Sequence, residues 1–434
     1  MKKNINRCDF FRYATLNIMG MLGLSCYILA DTYFVAGGLG ADGLTALNLA
    51  IPIYSFVHGS GLLFGVGGAT KYAVFCGQGN RHLADTVFSH TLMLAGLFAA
   101  LYFFAGLFLA GGITSILGAE GRIFYMTKTY IRVILLFAPA FMLNDLFVCF
   151  VRNDGAPKLS MAAMLTGSFS NIILDYIFIF PCRMGIFGAV LATGLAPVIS
   201  VSILSAHFRQ KAHFRFIRAG RNGRLAGAIF ALGVPSFVTE VASGVVMMVL
   251  NSIILTLQGN TGVAAYGVIA NLSLVAVSVY TGLAQGMQPL VSMAYGKKDG
   301  QSVRLFLRYA LITMLMISVG VYSGIYWFAE PIVGAFNRAG NDLLQHMAVY
   351  GLKLYFTAMP FAGFNIVSAM YFTAAERPVP AQLISLLRGI VLLLPMAFLL
   401  SALLEMTGVW LALTVTESCV AVLAAGLLCK RAST

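Results

Sequence analysis

The stretch 207–224 reads HFRQKAHFRFIRAGRNGR and holds Arg209, Lys211, Arg215, Arg218, Arg221 and Arg224 with no acid. It lies between two long apolar regions near the middle of the chain. Working outward, apolar runs of spanning length recur on both sides. They cover 13–35, 46–69, 87–110, 125–149, 160–180 and 186–206 before it, and 228–256, 262–290, 309–329, 347–372, 382–404 and 408–428 after it. About 20 apolar residues cross a bilayer. The chain has 434 residues, 59% hydrophobic and only 10% charged. Soluble domains carry about 25% charged residues. An ordinary cytosolic enzyme, a secreted domain and a disordered chain are thereby excluded. The reading is an all-α integral membrane protein of twelve spans, and the net charge of +13 belongs to its loops.

The basic residues sort by side. Lys2, Lys3, Arg7, Arg12, Arg81, Arg152, Lys158, the central cluster, Lys297, Lys298, Arg304, Arg308, Arg377, Lys430 and Arg431 share one side; Arg122, Lys128, Arg183 and Arg338 take the other. Cytoplasmic loops carry the excess of Lys and Arg. Both termini and the linker are therefore expected inside a plasma membrane, with contacts to anionic lipid possible at the cluster. The polar, basic start and long first run do not read as a signal peptide. The 7 Cys form no CxxC pair and read as small buried hydrophobes.

The halves resemble each other. Gly40-Ala-Asp-Gly43-Leu-Thr-Ala recurs as Gly259-Asn-Thr-Gly262-Val-Ala-Ala, and Gly61/Gly65 as Gly282/Gly286. Pro139 and Asn144 match Pro360 and Asn365, Pro157 matches Pro378, and 185–193 matches 408–416. The order and near-constant offset predict two six-helix bundles related by a parallel pseudo-repeat. The expected boundaries are 1–206, a linker 207–227, and 228–434. Small residues four apart permit close helix approach. Mid-span prolines permit kinks.

Acids at bilayer depth are costly and point to function. Asp31, Asp175, Glu240 and Glu417 lie within spans, and Asp145 lies nearer a span end. Asn171 and Asp175, four apart, share one helix face. Asn144 and Thr193 on flanking spans add oxygens. Two carboxylates in one dry site cannot both ionise comfortably, so the set suits a proton or Na⁺. His58, Arg132 and Lys353 read more simply as cross-helix bonding and snorkelling groups.

Residues 31–40 (DTYFVAGGLG), 171–179 (NIILDYIFI), 185–193 (GIFGAVLAT) and 286–296 (GMQPLVSMAYG) together resemble multidrug and toxic compound extrusion (MATE) transporters. The resemblance implies two lobes around a V-shaped cavity and antiport of organic, often cationic, compounds against H⁺ or Na⁺. It implies a coupling site at Asp31, Asn144, Asn171, Asp175 and Thr193, with any Na⁺ at Asp31, Asn171 and Asp175. It also implies a second-lobe cation or substrate role for Glu240. No cofactor, no nucleic acid and a single working chain are expected. Two departures stand out. The first-span Pro of the family is replaced by the neighbourhood of Leu16 and Asn17, leaving Gly20 and Gly23 for bending. The tenth span offers Asn365 and no acid, which favours the first-lobe site.

The alternative is a flippase for a lipid-linked or polysaccharide precursor, with Arg132, Lys353 and Arg388 as its cationic centre. A major-facilitator carrier is disfavoured because 76–85, CGQGNRHLAD, lacks that family's loop pattern. HExxH, GxSxG and GxxxxGK[ST] are absent, so no enzyme is expected. No selectivity-loop signature suggests a channel.

Overall fold

The structure is a computed structural model that describes residues 7–210, 213–218, 220, 222–337 and 340–432. Lys2, Lys3, Lys211, Arg221 and Arg338 of the charge pattern lie outside the described residues. Among the described residues there are helices and no strand. In chain order they are α1 (Arg7–Gly77), α2 (Arg81–Phe108), α3 (Ala110–Ile116), α4 (Gly121–Leu136), α5 (Ala138–Asn153), α6 (Pro157–Ile179), α7 (Gly185–Leu204) and α8 (Ala206–Gln210). Then follow α9 (Gly223–Gly296), α10 (Gly300–Phe336), α11 (Asp342–Tyr355), α12 (Met359–Ala374), α13 (Pro378–Leu386) and α14 (Leu393–Ala432). Several are long and apolar enough to cross a membrane.

Where the sequence reading placed loops between the first two runs of each half, the chain turns on one residue instead. Helix α1 breaks at Gly40 (φ 66°, ψ −158°) and α9 at Gly259 (φ 61°, ψ −153°). Only glycine adopts that conformation without a Cβ penalty. Helix α14 has a similar break at Glu405.

Of the mid-span prolines, Pro139 and Pro360 sit at helix breaks, while Pro52, Pro197, Pro235 and Pro289 lie inside continuous helices. Helices α4 and α5 meet at 49°, with Pro139 in the first turn of α5. Helices α11 and α12 are joined by a 3₁₀ turn just before Pro360. Pro157 and Pro378 open α6 and α13, where a missing N–H costs nothing.

Glycines let elements approach. A Cβ on Gly61 or Gly65 would strike Asp145, so α5 packs against the second arm of α1. A Cβ on Gly286 would lie 2.8 Å from the Ala14 Cα and one on Gly282 would lie 2.7 Å from the Ile18 Cα. The start of α1 thus packs on α9, and Phe10 and Ala14 join a core formed largely by the second half, around Tyr280, Phe306 and Trp410. Two further cores belong largely to the first half, one of them taking in Phe214, Leu225 and Ile229.

The outer faces of α2 and α10 are apolar, with Phe104, Phe108, Met316, Trp327 and Phe328 exposed. Contiguous exposed apolar surface of this kind needs lipid. The reading of the cysteines as buried is corrected for most of them. Cys8, Cys26, Cys182, Cys419 and Cys429 are exposed, and Cys149 is buried.

The linker is strapped down. The backbone N–H groups of His213, Arg215 and Ile217 donate to Asp154, Asp85 and Ser89 at 2.9 Å each. Between them Phe214 is buried against Tyr72, Phe88 and Phe150.

Candidate functional site

The buried acids of the first half converge. Asp31 on the first arm of α1 and Asp175 on α6 are both buried and lie near each other. Asn171, one turn before Asp175, donates its amide to Asp175 Oδ2 at 3.0 Å and accepts from the Thr193 N–H at 3.2 Å in the orientation that satisfies both ends. Thr193 lies on α7, and its hydroxyl donates to Ala189 O at 3.1 Å. Tyr130 of α4 is buried near this cluster. Oδ1 of Asp31 and Oδ1 of Asp175 have no hydrogen-bond partner among the described residues. Two neighbouring buried carboxyl groups with unpaired oxygens are chemically completed by a shared proton or a small cation.

No hydrogen bond joins Asn144 to this pair among the described residues. Its amide is 3.4 Å from Asp145 Oδ1, beside a second cluster between the halves. There His58 Nδ1 lies 2.9 Å from Asp145 Oδ2, and the Tyr54 ring stacks on His58 with centroids 5.7 Å apart. The hydroxyls of Tyr54 and Tyr27 are 3.0 Å apart. Glu240 is half-buried, and its Cβ stands 3.4 Å from where a Cβ on Gly59 would lie. Glu240 therefore packs beside the His58 segment from the other half. His58 and Asp145, unpaired by any spacing in the sequence, are partners in space.

Glu417 also finds partners. Its Oε1 accepts from Arg388 Nη2 at 2.7 Å and its Oε2 from Asn365 Nδ2 at 2.7 Å. Arg388 sits in a π-helical turn, Leu387–Val391. Arg132 is exposed, and Lys353 lies over the Tyr326 ring at 5.0 Å. The three basic residues considered for a cationic centre are thus peripheral or neutralised.

A family model, MatE, matches residues 17–177 and 235–425. This chain belongs to the MatE family. It is similar to the multidrug export protein MepA of Staphylococcus aureus (strain MRSA252), 26% identical over 404 residues, 92% of this chain and 88% of that one. MepA of Staphylococcus saprophyticus is 27% identical over 407 residues, with 92% of this chain and 88% of that protein covered. Its fold matches the crystal structure of a MATE protein in complex with MaL6, with a TM-score of 0.93, 22% identity, and 98% and 96% of the two chains covered.

This MatE chain carries a further polar seam that the sequence reading missed. Arg152, taken as a loop charge, is 1% exposed. Its guanidinium donates to Asn17 and to Gln285 of the second half, both at 2.8 Å. Asn153 donates to Gln288 at 3.0 Å, and Gln288 donates to Thr70 at 3.0 Å. Lys71 and Glu376 pair across the halves at 2.6 Å. These contacts seal the halves at the end where the basic residues gather. Asn17, at the position noted for its missing proline, has a role here that spacing alone could not reveal.

Proposed function

We propose that this protein is a secondary active efflux transporter. It exports organic cationic or amphipathic compounds by antiport with H⁺ or Na⁺ through alternating access. The observation that carries the reading is the buried Asp31–Asp175 pair with its Asn171–Thr193 support, in a family whose curated relatives are multidrug exporters. The pair is hidden in one half and contacts no external partner, as a coupling group should.

Twelve spans in two six-helix halves fit the elements. The two arms of α1, then α2, the α4–α5 pair, α6 and α7 make one set. The two arms of α9, then α10, the α11–α12 pair, α13 with the start of α14, and the rest of α14 make the other. The matching breaks at Gly40 and Gly259 support the repeat. We take 1–206 and 228–434 as lobes and 207–227 as a docked linker, with both chain ends cytoplasmic and one chain as the working unit.

In the cycle, Asp31 and Asp175 take up the ion from outside. Neutralising them lets the first arm of α1 repack, which favours release of the exported compound. Once the cleft opens inward, the ion leaves and a new compound binds. Glu240 holds the positive group of a cationic compound. Asn144 serves the His58–Asp145 wall of that cleft and assists coupling indirectly.

The test is Asp175→Asn in everted membrane vesicles. Dye efflux driven by a pH or Na⁺ gradient should vanish while the protein is still made. Unchanged efflux overturns the assignment. Efflux driven by pH alone in Na⁺-free buffer removes the Na⁺ form. A flippase would want a cationic centre, and the pairing of Arg388 with Glu417 speaks against one.

A further inference from the structure

The second half holds a buried polar site that the transport cycle above does not use. Glu417 is 2% exposed, deep in α14, and its carboxylate is fully engaged. Arg388 binds it through Nη2 at 2.7 Å and Nε at 3.2 Å, both on Oε1. Asn365 donates to Oε2 at 2.7 Å and to the Glu417 carbonyl at 2.9 Å. On the same helices Asn365 Oδ1, Ser368 Oγ and Thr416 Oγ1 are buried with no hydrogen-bond partner among the described residues. Ser368 lies one turn beyond Asn365 in α12, and Thr416 precedes Glu417. Unpaired buried oxygens are costly unless something positive or a donor is near.

The location is informative. In the repeat, Thr416 corresponds to Thr193 and Asn365 to Asn144. The second-half site is therefore built on the fourth and sixth segments, the sixth being the counterpart of the one that brings Thr193 to the coupling pair. A second carboxylate, the counterpart of the Asp31–Asp175 arrangement, is missing. Its place opposite Glu417 is taken by a guanidinium, carried on a π-helical turn at Leu387–Val391. Such a turn re-aims a side chain within an otherwise regular helix and recurs at functional sites.

We propose that Glu417 and Asn365 form a monovalent-cation site whose cation is the tethered Arg388 side chain. The second half is permanently neutralised by its own arginine, so it takes up no ion from solution. Coupling ions bind in the first half alone. This rests on the first-half coupling reading for its consequence, but the site itself stands on the Arg388–Glu417–Asn365 geometry. Removing Arg388 leaves a buried, uncompensated carboxylate beside Asn365, which a solution cation would neutralise.

The experiment measures ion uptake by the purified full chain, with ²²Na⁺ equilibrium binding and potentiometric proton uptake in parallel. Asp175→Asn should abolish the wild-type uptake. Asp175→Asn with Arg388→Gln should regain about one ion per chain, and adding Glu417→Gln should remove it again. No regained uptake by a folded Arg388→Gln protein overturns the proposal, as does uptake that survives Glu417→Gln. If Asp175→Asn alone retains wild-type uptake, the first-half reading fails, while the gain on Arg388→Gln still decides the second-half site. Should Arg388→Gln not fold, Glu417→Gln alone decides. The wild-type number of ions supports a tethered cation, and a lower number shows that Glu417 binds a mobile one.

Discussion

At the scale of single residues, the scarcity of charge did most of the work. With so few acids in the chain, each one at bilayer depth stands out, and Asn171 with Asp175 on one face marked a cluster. The structure brings Asp31, Asn171, Asp175 and Thr193 together as that pattern suggests. Tyr130, His58 and Arg152 were not legible. Their partners lie on other helices, and no local spacing encodes a contact across a bundle. Arg152 shows the cost of the omission. A lone Arg beside a loop reads as topology, yet here it holds Asn17 and Gln285 in a dry seam. Arg152→Ala should leave both amide oxygens unpaired and lower stability by about 1–3 kcal/mol, read as a fall in the thermal midpoint of the solubilised protein. Glu240→Gln should act differently. It should weaken export of cationic compounds and spare neutral ones, measured as resistance to a paired panel of compounds in a host lacking its own pumps.

At the scale of elements, apolar periodicity and proline positions gave the helices, and glycine positions gave their joins only after the structure was known. Gly40 and Gly259 were read as parts of a repeated motif between spans. They are single-residue turns at positive φ, which lets one helix fold back without a loop. The small-residue pairs were legible as close-approach surfaces, but their targets were not. Gly61/Gly65 meets α5 within its own half, whereas Gly282/Gly286 meets the first arm of α1 from the other half. Gly286→Val should therefore push α1 from α9 and destabilise this closed arrangement by about 1–3 kcal/mol, the usual scale of overpacking. Faster alkylation of a cysteine placed at Ala14 would report the opening, and unchanged labelling would contradict it.

At the scale of the whole molecule, the halves are closed together at the basic end by Arg152, Gln285, Gln288 and the Lys71–Glu376 pair. That closure predicts a charge-reversal result. Lys71→Glu should set two carboxylates against each other, bias the protein toward opening at this end by roughly 5–30-fold in the population ratio, and slow efflux. Lys71→Glu with Glu376→Lys should restore most of the rate, and a double variant as slow as the single would exclude the pair from the closed state. The sequence by itself determined the all-helical membrane class, because burial in lipid is a one-dimensional constraint written along the chain. Only the tertiary structure decided which buried charges meet: Asp31 with Asp175, His58 with Asp145, Arg388 with Glu417, and Lys71 with Glu376. Each pairing joins residues far apart in sequence, and their contact depends on helix rotation and crossing, which hydropathy does not specify.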